Sequence, residues 1–368
     1  MWHLGRPPAC DGIAIDLCGL NQVIDYPARD MTITVQAGIT IAQLQAILTT
    51  EYQRLAIDVP LPDRATLGGA LATNVSGPRR YGFGSLRDYV IGISVINDQG
   101  EEVKAGGRVV KNVAGYDLCK LYIGSLGTLG IITQVTLKLK PRPEQSMLVE
   151  LLCPSERVGP ALDHVHASRT RPASISLLNE DPLTRKPPAT GWVIWIGHED
   201  NRDAVAWQVQ QLQRECSEIG ISFGRKLTAG EEVPFWTALT DFPLWPETVL
   251  TFKANLLPSA VADFCAQATG LPEKPRLQAE AGNGIVTGHI SGDLTLERAR
   301  RILTTLQLAA NERNNGQSNV IVLFCPPAWK TELPIWGDPR GDISLMRAIK
   351  GKLDPKRIFN PGRFVDGI

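Results

Sequence analysis

The 368-residue chain has no net charge to offer a partner, because 38 Lys and Arg balance 38 Asp and Glu. Nucleic-acid binders and proteins of acidic membrane faces usually carry a basic excess, so neither partner is indicated. A surface of balanced charge tends to associate, which suits a subunit of a complex. Paired cysteine is lacking too. Cys10, Cys18, Cys119, Cys153, Cys216, Cys265 and Cys325 are odd in number, scattered and free of any C-x-x-C. That argues against a disulfide scaffold and against an iron–sulfur cluster carried by this chain. They read as small buried hydrophobes of a reducing cytoplasm. The opening MWHLGRPPACDG has no charged start followed by an apolar stretch, so no secretory signal is expected. No apolar run approaches the ~20 residues of a membrane span. Neither G-x-G-x-x-G nor a G-x-x-x-x-G-K-[ST] phosphate loop occurs, and no internal repeat or low-complexity tract is visible.

Glycine is what the first part has in plenty: Gly68-Gly69, Gly82 and Gly84, Gly106-Gly107, then Gly124, Gly127 and Gly130. Leu137–Gln145 follows, where Pro141 and Pro143 favour an extended linker. The boundary is placed there, giving residues 1–143 and 144–368. In the first part, Thr32–Val35 alternates β-formers, and Thr40 caps a helix to Leu48 with Gln43 completing a capping box. Val90–Ile96 and Glu102–Ala105 flank the hairpin signal Asn97-Asp98-Gln99-Gly100, and Leu129–Leu139 is a long β-branched strand. The second part alternates strand and helix: Trp192–Ile196, a helix from Arg202 to Ile219, a helix Leu296–Asn311 ended by Asn315-Gly316, a strand Val320–Phe324, and a tail helix Leu345–Leu353. The expected class is α+β, with an antiparallel sheet covered on one side by helices in the second domain.

Two stretches carry chemistry. In Ala65–Gly92, Thr66 can cap a short helix whose first turn holds Gly68 and Gly69. Exposed N–H groups at a helix start bind anionic oxygen, and glycine admits close approach. Thr73, Asn74, Ser76 and Gly77 add hydroxyl, amide and bare backbone. A glycine-rich turn used only for packing explains these residues equally well. In Gly106–Thr133, Asn112, Gly115 and Tyr116 are suited to lie against a planar ligand, and Asp117 to cap the helix towards Ile123. Gly124-x-x-Gly127-x-x-Gly130 lets backbone pass close to a ligand or simply turn.

In this order, VQAGIT (Val35–Thr40), ATLGGALATNVSGPRRYGFGSLRDYVIG, GGRVVKNVAGYDLCKL and GSLGTLGII resemble the FAD-binding domain of the vanillyl-alcohol oxidase / para-cresol methylhydroxylase (PCMH) superfamily. Within it they resemble the FAD-binding subunits of glycolate oxidase (glycolate dehydrogenase). LMRAIKGKLDPKRIFNPGRF (Leu345–Phe364) resembles the C-terminal segment that returns to the flavin domain. Ala281-Gly282-Asn283-Gly284 resembles a turn of the family's second domain, here expected to be a ferredoxin-like α+β domain. The resemblance implies noncovalent FAD. Thr66, Gly68, Gly69, Thr73, Asn74 and Gly77 would face the pyrophosphate and flavin, with Tyr81, Gly82, Arg87 and Asp88 supporting that wall. Asn112, Gly115 and Tyr116 would lie by the flavin, and Gly127, Thr128, Gly130, Ile131 and Ile132 on the adenine or ribose side.

The family's opening strand, helix and strand, ending in a P-x-G-x-G-T turn, have no counterpart ahead of Gly5-Arg6-Pro7-Pro8. The expectation is therefore an FAD domain truncated at its N-terminus by a late start, with part of the phosphate cradle missing and an exposed edge near Ile13–Leu17. No metal site is expected, no histidine lies near the flavin motifs to form a covalent link, and the catalytic residue stays unknown. His289 is weighed as a second-domain group approaching a flavin, against an ordinary capping or surface histidine. The implied function is oxidation of glycolate to glyoxylate, with electrons passed through flavin to a partner iron–sulfur subunit beside a second flavoprotein subunit. The location would be the cytoplasm, or the periphery of the inner membrane through those partners. A stand-alone FAD-dependent dehydrogenase of a lactate-like 2-hydroxy acid, and a structural subunit that no longer binds FAD, are the alternatives. Pro234-Phe235-Trp236 and Phe242-Pro243-Leu244-Trp245 are expected in a loop, where they would pack or dock a partner.

Overall fold

The computed structural model describes residues 4–107, 117–244, 247–312, 316–338 and 341–368. The chain divides into two compact units. The first takes its described residues from 1–76, 84–142 and 339–368, and the second from 77–83 and 143–338.

The first unit is built on a five-stranded antiparallel sheet in the order Val23–Asp25, Thr32–Gln36, Ile131–Lys138, Val90–Ile96, Glu102–Gly106. Its central strands are rich in Val, Ile and Thr, which suit a pleated, half-buried surface. Ile33, Val35, Val135 and Leu137 are fully buried, each contributing roughly 1.5–3 kcal/mol by leaving water. The hairpin joining Val90–Ile96 to Glu102–Gly106 is closed by Asn97, whose Oδ1 accepts from the N–H of Gln99 at 3.0 Å and of Glu101 at 2.8 Å. The helix Ile41–Thr49 starts at the expected capping box, with Thr40 and Gln43 exchanging hydrogen bonds of 3.1 and 3.2 Å. Near the N-terminus, Ile13 and Ile15 are 93% and 62% exposed.

The second unit carries an eight-stranded antiparallel sheet ordered Ser222–Leu227, Gln145–Pro154, Gly191–Asp200, Ser174–Leu178, Arg276–Glu280, Ile285–Ile290, Leu250–Asn255, Asn319–Phe324. Its first four strands in the chain, with helices Val158–Ala167 and Arg202–Glu218, run β-α-β-β-α-β in the spatial order 4-1-3-2. The next four, with helices Val261–Thr269 and Leu296–Asn311, repeat that pattern. The unit is thus two ferredoxin-like modules sharing one sheet, joined where Ser174–Leu178 pairs with Arg276–Glu280. This confirms the expected fold class and corrects the reading that no repeat exists. The repeat lives in topology, because a β-α-β-β-α-β unit needs only the right periods and turns, not repeated side chains.

Strand residues point alternately to the two faces. Val149, Leu151, Ile175, Leu177, Ile194, Ile196, Phe252, Leu277 and Val286 meet the four helices in one core. On the outer face of the first module, Leu148, Leu178, Val193 and Trp195 pack against Phe235, Trp236 and Leu239. Those three belong to the helix Val233–Asp241, so Pro234–Trp236 is not a loop, and its aromatics are core rather than a docking surface. Pro234 in the first turn suits a helix start, which a reading of Pro as a breaker misses. Phe242 is buried in a short 3-10 turn, while Trp245 lies outside the described residues.

Two histidines sit inside this unit. His198 is fully buried with no hydrogen-bond partner on either ring nitrogen among the described residues, and burial lowers its pKa to about 4. His289 is lowered to about 4, chiefly by burial, although its bond to the Phe242 carbonyl opposes the shift. Between the ordinary imidazole value near 6.5 and 4, the unfolded chain therefore binds more protons than the folded one. Stability is complete above pH 6.5 and falls as the pH drops to 4, by about 3 kcal/mol for each histidine. Urea unfolding followed by tryptophan fluorescence at pH 7.5 and pH 4.5 checks this. His198→Leu is expected to lose less on acidification and to match or exceed the wild type at pH 7.5, since no hydrogen bond is given up. Equal pH sensitivity in both proteins would contradict it.

Candidate functional site

The glycine stretches come together within the first unit. Thr66 caps the helix Leu67–Thr73, its Oγ1 accepting the Gly69 N–H at 3.2 Å. Leu67 and Gly68 donate to the carbonyls of Ile39 and Ala37, and Ala70 donates to that of Thr66. The first four N–H groups of this helix are therefore all occupied by protein. Gly68 is glycine because a Cβ would stand 2.9 Å from the Ala37 Cβ. Thr73 Oγ1 donates to the Gly69 carbonyl at 2.8 Å. At the helix end, Asn74 takes the left-handed conformation (φ 48°), and its buried Oδ1 has no hydrogen-bond partner among the described residues. Gly124 and Leu126 donate to the carbonyls of Leu71 and Ala72, which seats the second glycine run on this helix end.

The tail locks that run. Asn360 Nδ2 donates to the Leu126 carbonyl at 2.7 Å, and the side of Gly127 faces Asn360. Lys350, in the helix Ile343–Leu353, is 5% exposed and donates to the Thr128 carbonyl (2.7 Å), the Phe359 carbonyl (3.0 Å) and Asp354 Oδ2 (2.5 Å). Burial would raise the Asp354 pKa, but Lys350 and the N–H groups of Phe359 and Ile358 outweigh it and hold the carboxyl below its usual range. The Thr128 hydroxyl donates to the Ser125 carbonyl. At Gly130 (φ 151°) a Cβ would meet Val95 at 2.5 Å, and Ile131 and Ile132 pair with Ile96 and Val95. Asp88 accepts from the Ser85 N–H and hydroxyl, which lowers its pKa, and Arg87 donates to the Lys120 carbonyl. The helix Cys119–Tyr122 has Leu118, not Asp117, at its N-cap, so Asp117 does not play the expected role. Asn112, Gly115 and Tyr116 lie outside the described residues.

Gly77, Tyr81 and Gly82 belong to the second unit. Gly82 donates to the Ala173 carbonyl at 2.9 Å, and the Tyr81 ring lies over Gly282, where a Cβ would come within 2.2 Å. That unit's second module has a polar outer face. Register sets Gln278, Thr287 and Lys253 side by side on adjacent strands, with Arg276, His289 and Thr251 in the row alongside. Both nitrogens of His289 are engaged, with Thr251 Oγ1 at 3.0 Å and the Phe242 carbonyl at 2.6 Å, so it is an internal structural group. Gln278 Nε2 reaches Glu280, which also accepts from Ser176. Lys253 is half-buried, and no ion pair or hydrogen bond of its ammonium is found among the described residues. Burial, with the Arg80 guanidinium adding to it, lowers its pKa to about 8. Its signal in the sequence is a lone lysine inside the β-forming run Val249–Leu256.

The sequence profile of the FAD binding domain matches residues 3–106, and that of the C-terminal domain of FAD linked oxidases matches 338–364. The chain carries a PCMH-type FAD-binding domain together with a segment of the FAD linked oxidase C-terminal domain. The glycolate oxidase subunit GlcE of Escherichia coli K12 is 38% identical over 145 residues, spanning 39% of this chain and 41% of that protein. The glycolate oxidase subunit GlcD of Bacillus subtilis is 25% identical over 388 residues, spanning 98% and 80%. The mitochondrial D-lactate dehydrogenase (cytochrome) of Arabidopsis thaliana is 27% identical over 392 residues, spanning 96% and 65%. Among solved structures, alkyldihydroxyacetonephosphate synthase overlays with a TM-score of 0.66 at 19% identity, covering 96% of this chain and 69% of that one.

FAD is the cofactor of the matched domain, and its chemistry tests the residues present. Phosphates call for donors, and the occupied start of the helix Leu67–Thr73 supplies no free N–H. The flavin ring calls for an acceptor opposite its own N–H, and the orphaned Asn74 Oδ1 fits that demand. Among the described residues no group of three or more His, Cys, Asp and Glu is placed to hold a metal, and no helix is long and apolar enough to cross a membrane.

The lock at the second glycine run is testable by itself. Lys350→Met strands the Asp354 carboxylate in a buried site and is expected to lower unfolding free energy by about 3–5 kcal/mol. Lys352→Met, at an exposed position of the same helix, should stay within about 0.5 kcal/mol. Equal effects in denaturant titrations would show that the buried pair does not hold this run.

Proposed function

We propose that this chain is the FAD-binding subunit of a glycolate oxidase (dehydrogenase) complex, oxidising glycolate to glyoxylate and passing electrons to a partner iron–sulfur subunit. The observation that carries the substrate class is Lys253, a half-buried ammonium depressed by burial and by Arg80. Such a group is stabilised by an anion, and a carboxylate is the anion every 2-hydroxy acid presents. The matches to proteins named GlcE and GlcD support glycolate as that acid and a multisubunit setting. The scattered cysteines support an iron–sulfur centre on another chain.

FAD, when bound, supplies the two-electron acceptor for the hydride of the substrate's α-carbon. The chain's own residues bind and orient. Lys253 and Arg80 hold the carboxylate, and the buried Gln278 and Thr287 beside Lys253 line that anion's surroundings. Asn74 Oδ1 would accept a hydrogen bond from the flavin ring. The other motif residues of the first unit, Thr66, Gly68, Gly69, Thr73, Arg87, Asp88, Gly127, Thr128, Gly130, Ile131 and Ile132, shape the surrounding wall. No catalytic base is assigned, because both nitrogens of His289 are already bonded. With no histidine among the flavin motifs, the FAD is noncovalent.

Three outcomes follow. Lys253→Met is expected to raise the KM for glycolate by roughly 10- to 100-fold, the worth of one charge-assisted hydrogen bond. Wild-type KM should rise as the pH climbs through about 8 and Lys253 loses its charge. A pH-independent KM, unchanged in the variant, would remove the carboxylate assignment. Asn74→Gly is expected to stabilise the FAD-free chain, by relieving a left-handed φ and an orphaned oxygen, while weakening FAD binding roughly tenfold. Thermal midpoint and FAD titration check the opposed signs, and parallel changes would contradict them. Finally, acid precipitation should release the flavin, and glycolate turnover should require the co-expressed partner subunits. Turnover of D-lactate by the isolated chain would instead favour the stand-alone dehydrogenase reading, for which the match to the D-lactate dehydrogenase gives support.

A further inference from the structure

One row of the second module's outer face holds polar groups whose hydrogen bonds are unmet. Across the strands it runs Leu178, Gln278, Thr287, Lys253, Ile321. Directly opposite residues on adjacent strands have Cβ atoms about 5 Å apart, so Thr287 neighbours both Gln278 and Lys253. Those two longer side chains rise from strands about 9.6 Å apart, with the short Thr287 as the floor between them. Buried Leu178 and Ile321 close the row with apolar groups.

Gln278 is 4% exposed, and its Nε2 donates to the Leu239 carbonyl and to Glu280 Oε1, each at 2.8 Å. Two acceptors on one side fix which end of the amide is nitrogen. Its Oε1 is left a buried acceptor with no partner among the described residues. The buried Thr287 hydroxyl also has no hydrogen bond among the described residues. Unmet buried polar groups beside a cation call for the polar groups of a ligand. The adjoining rows restrict which ligand. On one side Arg276 is already paired with Glu180 at 3.0 Å, and on the other stands the Glu280 carboxylate. Lys253 is thus the cation this row has to offer.

We infer that Thr287 is a specificity-determining residue: its Oγ1 accepts a hydrogen bond from the α-hydroxyl of the acid whose carboxylate Lys253 holds, which selects short monocarboxylic 2-hydroxy acids. This rests on the carboxylate-binding role of Lys253 proposed above and adds to it the recognition of the hydroxyl. Direction along the row supports it. Leu239 and Glu280 hold the Gln278 amide so that its oxygen accepts, and the Thr287 O–H can turn to that oxygen. A lone pair of Thr287 Oγ1 is then left for the substrate's own O–H. A second carboxylate would meet Glu280, or Arg276 whose charge is already matched, so dicarboxylic acids are disfavoured.

The test is anaerobic calorimetry on the FAD-loaded full chain, with the flavin reduced by dithionite so that no acid is turned over. Glycolate, acetate (the same acid without its hydroxyl) and D-2-hydroxyglutarate are the probes. The wild type is expected to bind glycolate roughly tenfold more tightly than either of the others, the scale of one well-placed hydrogen bond. Thr287→Val keeps the shape without the hydroxyl and should abolish the preference over acetate, leaving the acetate Kd unchanged. Thr287→Ser should retain the preference, and Lys253→Met should weaken glycolate and acetate alike. Near-UV circular dichroism establishes folding; should Thr287→Val fail to fold, Thr287→Ala, which also lacks the hydroxyl, replaces it. A wild type that binds acetate as well as glycolate, or a folded hydroxyl-free variant that keeps the preference, overturns this inference alone. D-2-hydroxyglutarate bound as tightly as glycolate overturns the monocarboxylic selection. A wild type that binds none of the three overturns the carboxylate reading with it.

Discussion

A half-buried ammonium on a sheet face destabilises the protein until an anion meets it. Lys253 is such a group, on the strand that pairs with Ile285–Ile290 and with the edge strand Asn319–Phe324. Alternation along Leu250–Asn255 sends Phe252 into the helix-covered core and Lys253 to the opposite face. The neighbouring strands bring Thr287 and Gln278 rather than an acid beside it. The two-module sheet makes this possible. Its first module has its outer face closed by the helix Val233–Asp241, while the second keeps a polar outer face. One core of aliphatic side chains supports both, so the polar face does not have to supply the fold's stability.

The first unit follows a different rule. Its glycines are there chiefly because protein occupies the space a side chain would need: Ala37 at Gly68, Asn360 at Gly127, Val95 at Gly130. The tail is part of this packing, since Lys350 joins the carbonyls of Thr128 and Phe359 to the buried Asp354. These contacts rigidify the wall that a flavin-binding domain needs. At the junction of the two glycine runs they leave the Asn74 Oδ1 without a hydrogen-bond partner among the described residues.

Much of this was legible in the sequence, for physical reasons that can be named. Capping and turn chemistry is local, so Thr40 with Gln43 and the Asn97–Gly100 turn were readable from spacing alone. The helix Leu296–Asn311 was readable from its apolar period. The family resemblance supplied the fold class. What escaped depended on contacts distant in sequence. The repeated module is a matter of strand order, which no residue pattern announces. Pro234–Trp236 looked like a loop because its aromatics gave no period, yet Leu148, Leu178 and Trp195 capture them as a buried helix. Gly68 and Gly69 suggested free N–H groups, but Ala37 and Thr66 take them. Lys253 was passed over because a lysine in a strand is ordinary until its neighbours are known.

The most direct measurement is the titration of Lys253 itself, followed by NMR of 13Cε-labelled lysine in the FAD-loaded chain, with Lys253→Met for assignment. The account predicts a lysine titrating near 8 in the free protein, moving upward when glycolate is added. A Lys253 that titrates near the ordinary lysine value of about 10.4 and ignores glycolate would contradict it.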